Sequence, residues 1–390
     1  MQITLPQADG TLRPYALRNA TPPFARIAPR PFNRTVYAAA HVVVDPLRTR
    51  DPWDGAPVVD WDATLAFREH LWRLGFKVAE AMDTAQRGMG LDWPTALELI
   101  KRSVAHAKSI PGADLSCGVG TDQLIPNAKT TIAEVMAAYS AQIEAVEAAG
   151  GRIILMASRA LAAVARNADD YKRVYGDLLR QCRGKVILHW LGEMFDPALA
   201  GYWGSKDIET AMQTVLGIIA ENAQRIEGIK VSLLDAKWEI YMRSRLPADV
   251  KMFTGDDFNF GELIAGDGKH YSHGLLGIFD PIAPIAAQAL QLLARGEIAE
   301  YRRIIDPTVA LGREIFRAPT RHYKAGVVFL AWLNGHQSHF SMLGGLQSAR
   351  DVTHYARVFE LADACGALTD PELAVRRMRG LLQINAGVTA

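Results

Sequence analysis

The 390-residue sequence predicts an α/β protein whose body is a closed (β/α)8 barrel. Two observations carry that prediction. Short β-branched or apolar runs recur eight times between residues 34 and 279, and each is followed by a longer stretch with the apolar spacing of an amphipathic helix. Such alternation is the mark of parallel strands joined by crossover helices, and eight units in one run suit a closed barrel better than an open doubly wound sheet, which usually has fewer strands.

In chain order the strand candidates are RTVYAAAHVVV (34–44), FKVAEAM (76–82), ADLSCGVG (113–120), GRIILMA (151–157), KVILHW (185–190), GIKVSLL (228–234), VKMF (250–253) and HGLLGIF (273–279). The helix candidates that follow them begin at Trp61, Pro94, Thr130, Asp169, Ser205, Ala236 and Asn259, and PIAPIAAQALQLLARG (281–296) completes the eighth unit. Residues 35–297 are therefore assigned to the barrel. Residues 1–34 form a Pro-rich arm in which Pro6, Pro14, Pro22, Pro23, Pro29 and Pro31 forbid a continuous helix. The opening also lacks the apolar core of a signal peptide, and an arm lying along the body or along an oligomer partner is expected. Residues 298–390 contain helix signals only and are expected to form a helical appendage, punctuated by Pro307, Pro319 and Pro371, with Gly335 and Gly366 placed to end helices.

Charge and composition narrow the function classes. With 43 Lys and Arg against 42 Asp and Glu, the chain has no global field to hold a polyanion, so neither nucleic acid nor an anionic membrane is expected as its partner. The longest apolar runs fall well short of the roughly 20 residues a membrane span needs. Cys117, Cys182 and Cys365 include no close pair, which leaves no disulfide framework or zinc ribbon and fits a reducing cytoplasm.

Barrel enzymes keep their chemistry at the C-terminal ends of the strands, which here offer His41, Asp45, Asp83, Thr84, Thr121, Asp122, Ser158, Arg159, His189, Glu193, Lys230, Thr254, Asp256, Asp257 and Asp280. Lys230 is anomalous among them, because an ammonium inside the apolar run EGIKVSLL is costly unless paired or neutral. Desolvation lowers a lysine pKa, and a neutral amine is the nucleophile that makes an imine with a ketone. A salt bridge to Asp256 or Asp257 explains the same residue equally well. His336 and His339 share i, i+3 spacing but lack a third ligand and read as a surface or interface pair; Cys117 reads as a small core residue.

The motifs Gly228-Ile229-Lys230, Gly255-Asp256-Asp257 and Ala283-Pro284, with SCGVGTDQ (116–123) and KVILHW upstream, resemble the dihydrodipicolinate synthase and N-acetylneuraminate lyase superfamily from about Thr35 to Ile304. The resemblance implies a (β/α)8 class I aldolase in which Lys230 forms a Schiff base, with no separate cofactor, a small-molecule carbonyl substrate and a homo-oligomer, dimer or tetramer. It also implies that Gly255, Asp256 and Asp257 belong to the substrate site. At the family's strand-five tyrosine, the proton carrier, this chain has His189, whose reference pKa of about 6.5 suits that work. At the family's paired hydroxyl residues it has Asp83-Thr84, and in the next loop Glu193 and Asp196 stand where no arginine matches. A mouth holding Asp83, Glu193, Asp256 and Asp257 is expected to be acidic and to suit a neutral polyhydroxylated or cationic ligand.

The leading expectation is thus a Schiff-base lyase of aldolase or dehydratase type acting on a sugar-derived carbonyl compound or a keto acid. One alternative is a metal-dependent barrel hydrolase or isomerase using His41, Asp83, His189, Glu193 and Asp256; another is a non-catalytic ligand-binding barrel.

Overall fold

The computed structural model describes residues 1–18 and 31–389. An antiparallel hairpin comes first, β1 (Gln2–Pro6) and β2 (Leu12–Ala16), turning at Gly10, whose φ of +81° falls in the left-handed region that glycine adopts without strain. Eight strands then close a parallel barrel: β3 (Val36–Ala39), β4 (Lys77–Glu80), β5 (Leu115–Val119), β6 (Arg152–Leu155), β7 (Val186–Leu191), β8 (Ile226–Ser232), β9 (Lys251–Thr254) and β10 (His273–Leu276), which pairs back with β3. Each overlaps its expected run. Pro22, Pro23 and Pro29 of the arm lie outside the described residues.

The surrounding helices are α1 (Trp61–Arg73), α2 (Trp93–Ala107), α3 (Ile132–Ala148), α4 (Arg159–Val164), α5 (Ala168–Gln181), α6 (Ile208–Glu221), α7 (Ala236–Arg243), α8 (Phe260–Ala265) and α9 (Ala283–Ala294). Their starts follow from local chemistry. Asp60, Asp92 and Asp207 each accept a backbone N–H of the first turn, and Thr131 and Glu134 form a reciprocal capping box.

Two apolar regions result. Tyr37, Ala39, Ala79, Met82, Ile154, Ile187, Phe253 and Leu275 fill the barrel interior, and a larger core lies between strands and helices. Gly228 belongs to the interior: a Cβ there would come within 2.6 Å of the Phe253 ring. This plug closes the lower part of the barrel and leaves polar side chains to the strand ends above it.

Helices α10 (Ile298–Ile315), α11 (Tyr323–Leu333), α12 (Val352–Cys365) and α13 (Pro371–Ala386) make up the C-terminal region. Pro307 lies inside α10, which runs through it, while Pro371 opens α13 and Gly366 ends α12 at φ +78°. His336 and His339 follow α11 in non-helical chain, so they share no helix face; His336 packs instead against His70 and Phe67, with ring centroids 4.5 and 5.0 Å away. The hairpin rests on α12, with Tyr15 donating to Asp363 Oδ2 at 2.7 Å. The region is more than an appendage, because the start of α11 reaches the C-terminal ends of the barrel strands. Among the described residues no helix is long and apolar enough to cross a membrane.

Candidate active site

Pleating decides what faces the barrel axis. On β8 the alternate residues Gly228, Lys230 and Ser232 share one face, and on β7 so do Ile187, His189 and Leu191; β7 and β8 pair with His189 opposite Lys230. Lys230 is only 8% exposed, yet among the described residues its amine has no hydrogen bond and no carboxylate within ion-pair distance. Gly255 makes room for it: a Cβ at that position would lie 2.7 Å from Lys230 Cε and 2.2 Å from Ser232 Oγ.

The amine enters an inner chamber of about 10 Å³, room for about one water-sized group, which Asp83, Thr84, Ser232, Asp257 and Tyr323 also line. Burial pushes the Lys230 amine down from the usual lysine range, and Asp257 and Asp83 oppose that shift. Burial likewise pushes the Asp257 carboxyl up, against the amide of Ile278, which donates to Oδ1 at 2.8 Å. The Thr84 and Tyr323 hydroxyls are 2.8 Å apart. His189 is buried, with Nε2 3.4 Å from Ser232 Oγ and Nδ1 without a partner among the described residues. Burial and the Lys230 charge push His189 well below the histidine range, so it is neutral at physiological pH.

An outer cavity of about 240 Å³ adjoins the chamber and shares Asp83 and Leu191 with it; His189, Thr121, Ser158, Arg159 and Asp196 are on its walls.

The expected acidic mouth is reduced, because Asp83 and its neighbours Asp122 and Asp196 are paired with cations and Glu193 lies elsewhere. Asp83 accepts from the fully buried Lys324 at 2.9 Å, and Lys324 also donates to the Arg321 carbonyl at 3.1 Å. Arg87 holds Asp122 through two nitrogens and spends its remaining donors on Ala81, Gly118 and Gln142; Arg159 pairs with Asp196. Asp256 caps its own turn, accepting from Phe258 N at 2.9 Å and Asn259 Nδ2 at 2.8 Å, which leaves it little capacity for substrate. Glu193 is exposed and lines a separate cavity of about 280 Å³ with Trp190, Lys206 and Trp238; the loop carries it away from Lys230.

The structure therefore brings together Lys230, His189, Asp83, Thr84, Gly255 and Asp257, and places Asp256 in a turn beside them and Glu193 elsewhere. The ligand set of the metal-dependent alternative is not assembled: the His41 ring is hydrogen-bonded to Asp280 at 2.8 Å, Glu193 faces the other cavity, and among the described residues no three His, Cys, Asp or Glu side chains converge. Of the aromatic residues near this loop, Trp203 is core, enclosed by Tyr171, Tyr175 and Tyr202. Sequence reading misses Tyr323 and Lys324, which are distant in the chain from every strand end.

Solved structures share this architecture. YagE of E. coli K12, a prophage protein of the dihydrodipicolinic acid synthase family solved in complex with pyruvate, is 12% identical with a TM-score of 0.63, the match covering 90% of this chain and 98% of that one. Dihydrodipicolinate synthase from Bacteroides thetaiotaomicron is 15% identical with a TM-score of 0.61, covering 84% and 99%. The enzyme from Oceanobacillus iheyensis is 11% identical with a TM-score of 0.61, covering 84% and 95%. The chain thus shares the (β/α)8 barrel fold of these dihydrodipicolinate synthase structures, as the sequence motifs imply. A search of curated proteins gives no match. A family-wide sequence pattern matches residues 3–388, and by that match the chain belongs to the family described as protein of unknown function (DUF993).

Proposed function

We propose that the protein is a Schiff-base-forming lyase acting on a small carbonyl compound. The observation that carries this reading is the state of Lys230: a buried amine, lowered in proton affinity, facing a chamber without an ion-pair partner among the described residues. A structural lysine at such a depth is paired, because an uncompensated buried charge is expensive. A lysine left without an ion pair and lowered in proton affinity is instead suited to act as a nucleophile. The chamber admits the carbonyl end of a ligand once its residual volume is opened by side-chain movement, and the outer cavity takes the remainder. Neutral His189, on the wall of that outer cavity, serves as a hydrogen-bonding group for the substrate rather than as a strong base, because burial and the Lys230 charge disfavour its protonated form.

Because Asp83, Asp122 and Asp196 are each paired with a cation, their charge no longer argues against a keto acid, and the pyruvate held by the fold neighbour YagE makes pyruvate the first probe. The test is incubation with pyruvate, other 2-oxo acids and keto sugars in the presence of borohydride, followed by intact mass and peptide mapping. A reduced adduct on Lys230 is expected. No adduct across the panel, with the protein folded, overturns the reading.

A further inference from the structure

Imine formation needs a group that gives a proton to the carbonyl oxygen and takes one from the nitrogen, and the inner chamber restricts the choice. Asp83 is held by Lys324. Thr84 and Tyr323 bond one another, and burial pushes the Tyr323 phenol far above the range in which it would exchange protons at neutral pH. Among the described residues the Ser232 hydroxyl is hydrogen-bonded to His189 alone, at 3.4 Å, and His189 lines the outer cavity rather than the chamber. Asp257 differs from all of these. Its Oδ1 is fixed by the Ile278 amide at 2.8 Å, and its side chain lines the same chamber as the Lys230 amine without forming an ion pair with it within 4 Å.

We propose that Asp257 is the acid–base catalyst of imine formation, sharing one proton with Lys230 across the inner chamber. This inference rests on the imine reading of Lys230 and adds to it the group that moves the protons. Starting from a neutral amine and a carboxylic acid, the nitrogen lone pair forms the C–N bond while the carbonyl π pair moves to oxygen, which takes the Asp257 proton. The Asp257 carboxylate then removes a proton from nitrogen, giving a neutral carbinolamine. Asp257 next protonates the hydroxyl, the nitrogen lone pair forms the C=N bond, the C–O bond breaks and water leaves. The sum is ketone, amine and carboxylic acid giving iminium, carboxylate and water. The iminium is formed beside a carboxylate already in place, which is where a buried cation needs one. The upward displacement of the Asp257 carboxyl by burial keeps the acid form available for the first step. The charged and titratable groups that share its chamber or act on it are Lys230 from β8, Asp83 from the β4 end, Tyr323 from α11 and its own neighbour Asp256.

The experiment measures the rate of borohydride-trapped adduct on Lys230 of the full-length protein between pH 5.5 and 9, with pyruvate and dihydroxyacetone as probes. Asp257→Asn keeps an acceptor for the Ile278 amide but cannot shuttle a proton; it is expected to slow trapping at least about a hundredfold, the lower range for a general acid–base group, and to remove the limb of the pH profile that falls as the acid ionises. Asp257→Glu is expected to restore trapping to within about tenfold of the wild type. An adduct that forms in the wild type and equally fast, with the same pH profile, in Asp257→Asn overturns this inference alone. No adduct in the wild type with any carbonyl probe overturns the imine reading and this inference together. Should Asp257→Asn fail to fold, Asp257→Glu decides: a displaced pH profile supports the role, and an unchanged one overturns it.

Discussion

Among the described residues two lysines are buried, and one of them, Lys324, has an ion-pair partner. Lys324, at the start of α11, is fully buried and donates to Asp83 at 2.9 Å and to the Arg321 carbonyl at 3.1 Å. Lys230, near the end of β8, is almost as deep and has neither partner among the described residues. Burial pushes both amines down, but Asp83 opposes the shift directly at Lys324 through charge and a hydrogen bond, whereas the carboxylates that act on Lys230 do so from beyond ion-pair distance. Two lysines at similar depth thus serve different ends, and the partner rather than the depth separates a structural charge from a reactive amine.

The largest expected effect that tests this contrast is at Lys230 itself. Lys230→Met should abolish the borohydride adduct and leave thermal stability equal to or above that of the wild type, since it removes an unpaired polar group from an apolar surrounding. If Lys230→Met unfolds the protein as readily as the loss of a buried ion pair would, Lys230 is structural and the contrast collapses. Next in size is Gly255→Ala. Its added methyl would lie 2.7 Å from Lys230 Cε, so the side chain must leave its present path; adduct formation should fall at least about tenfold while the amine count by mass is unchanged. Retention of the wild-type trapping rate would show that the path beside Gly255 does not matter.

Lys324→Met should behave in the opposite sense to Lys230→Met. It strands Asp83 without its ion pair, and because that carboxylate is partly exposed the expected cost is about 1–3 kcal/mol rather than the larger figure for a fully buried partner. Combining it with Asp83→Asn should recover part of the loss, a coupling that denaturant titration of the four proteins measures. Strict additivity would mean that the pair contributes nothing.

The contrast also explains how far the sequence could be read. Eight apolar runs with helical stretches between them make the barrel legible, because parallel strands buried on both faces leave continuous local signals. Lys230 is legible for the same reason, as a charge interrupting such a run. Its environment is not. The partner of Asp83 lies 241 residues away and that of Thr84 lies 239 away, on a helix whose sequence, YKAGVVFLAWL, announces only burial. Counting strand-end carboxylates therefore predicts an acidic mouth, whereas Lys324, Arg87 and Arg159 arrive from other segments and pair with Asp83, Asp122 and Asp196. Local spacing identifies which charges are present but says nothing of long-range pairing. Glu193 is misplaced for a related reason, since a loop between a strand and a helix can turn its side chain to either side.

The remaining expected effect depends on pH and concerns a buried acidic group. Glu239, on α7, is almost fully enclosed; Oε1 accepts from Ser272 Oγ at 2.6 Å and Oε2 has no partner among the described residues. Burial pushes its carboxyl up to about 8 from the ordinary 4.5, against the opposing influence of Ser272, Thr254 and Arg243. Between about pH 4.5 and 8 the folded protein holds a proton on Glu239 that the unfolded chain has released, so stability falls as pH rises through that window and levels off above it. Glu239→Gln has no proton to lose. Its melting temperature should match that of the wild type near pH 5 and exceed it by a margin that grows to about pH 8, then stays constant. An offset that is the same at pH 5 and pH 8 would mean that Glu239 ionises normally in the fold and that a neighbouring cation pairs with it more effectively than its burial opposes, making it the acidic counterpart of Lys324 rather than of Lys230.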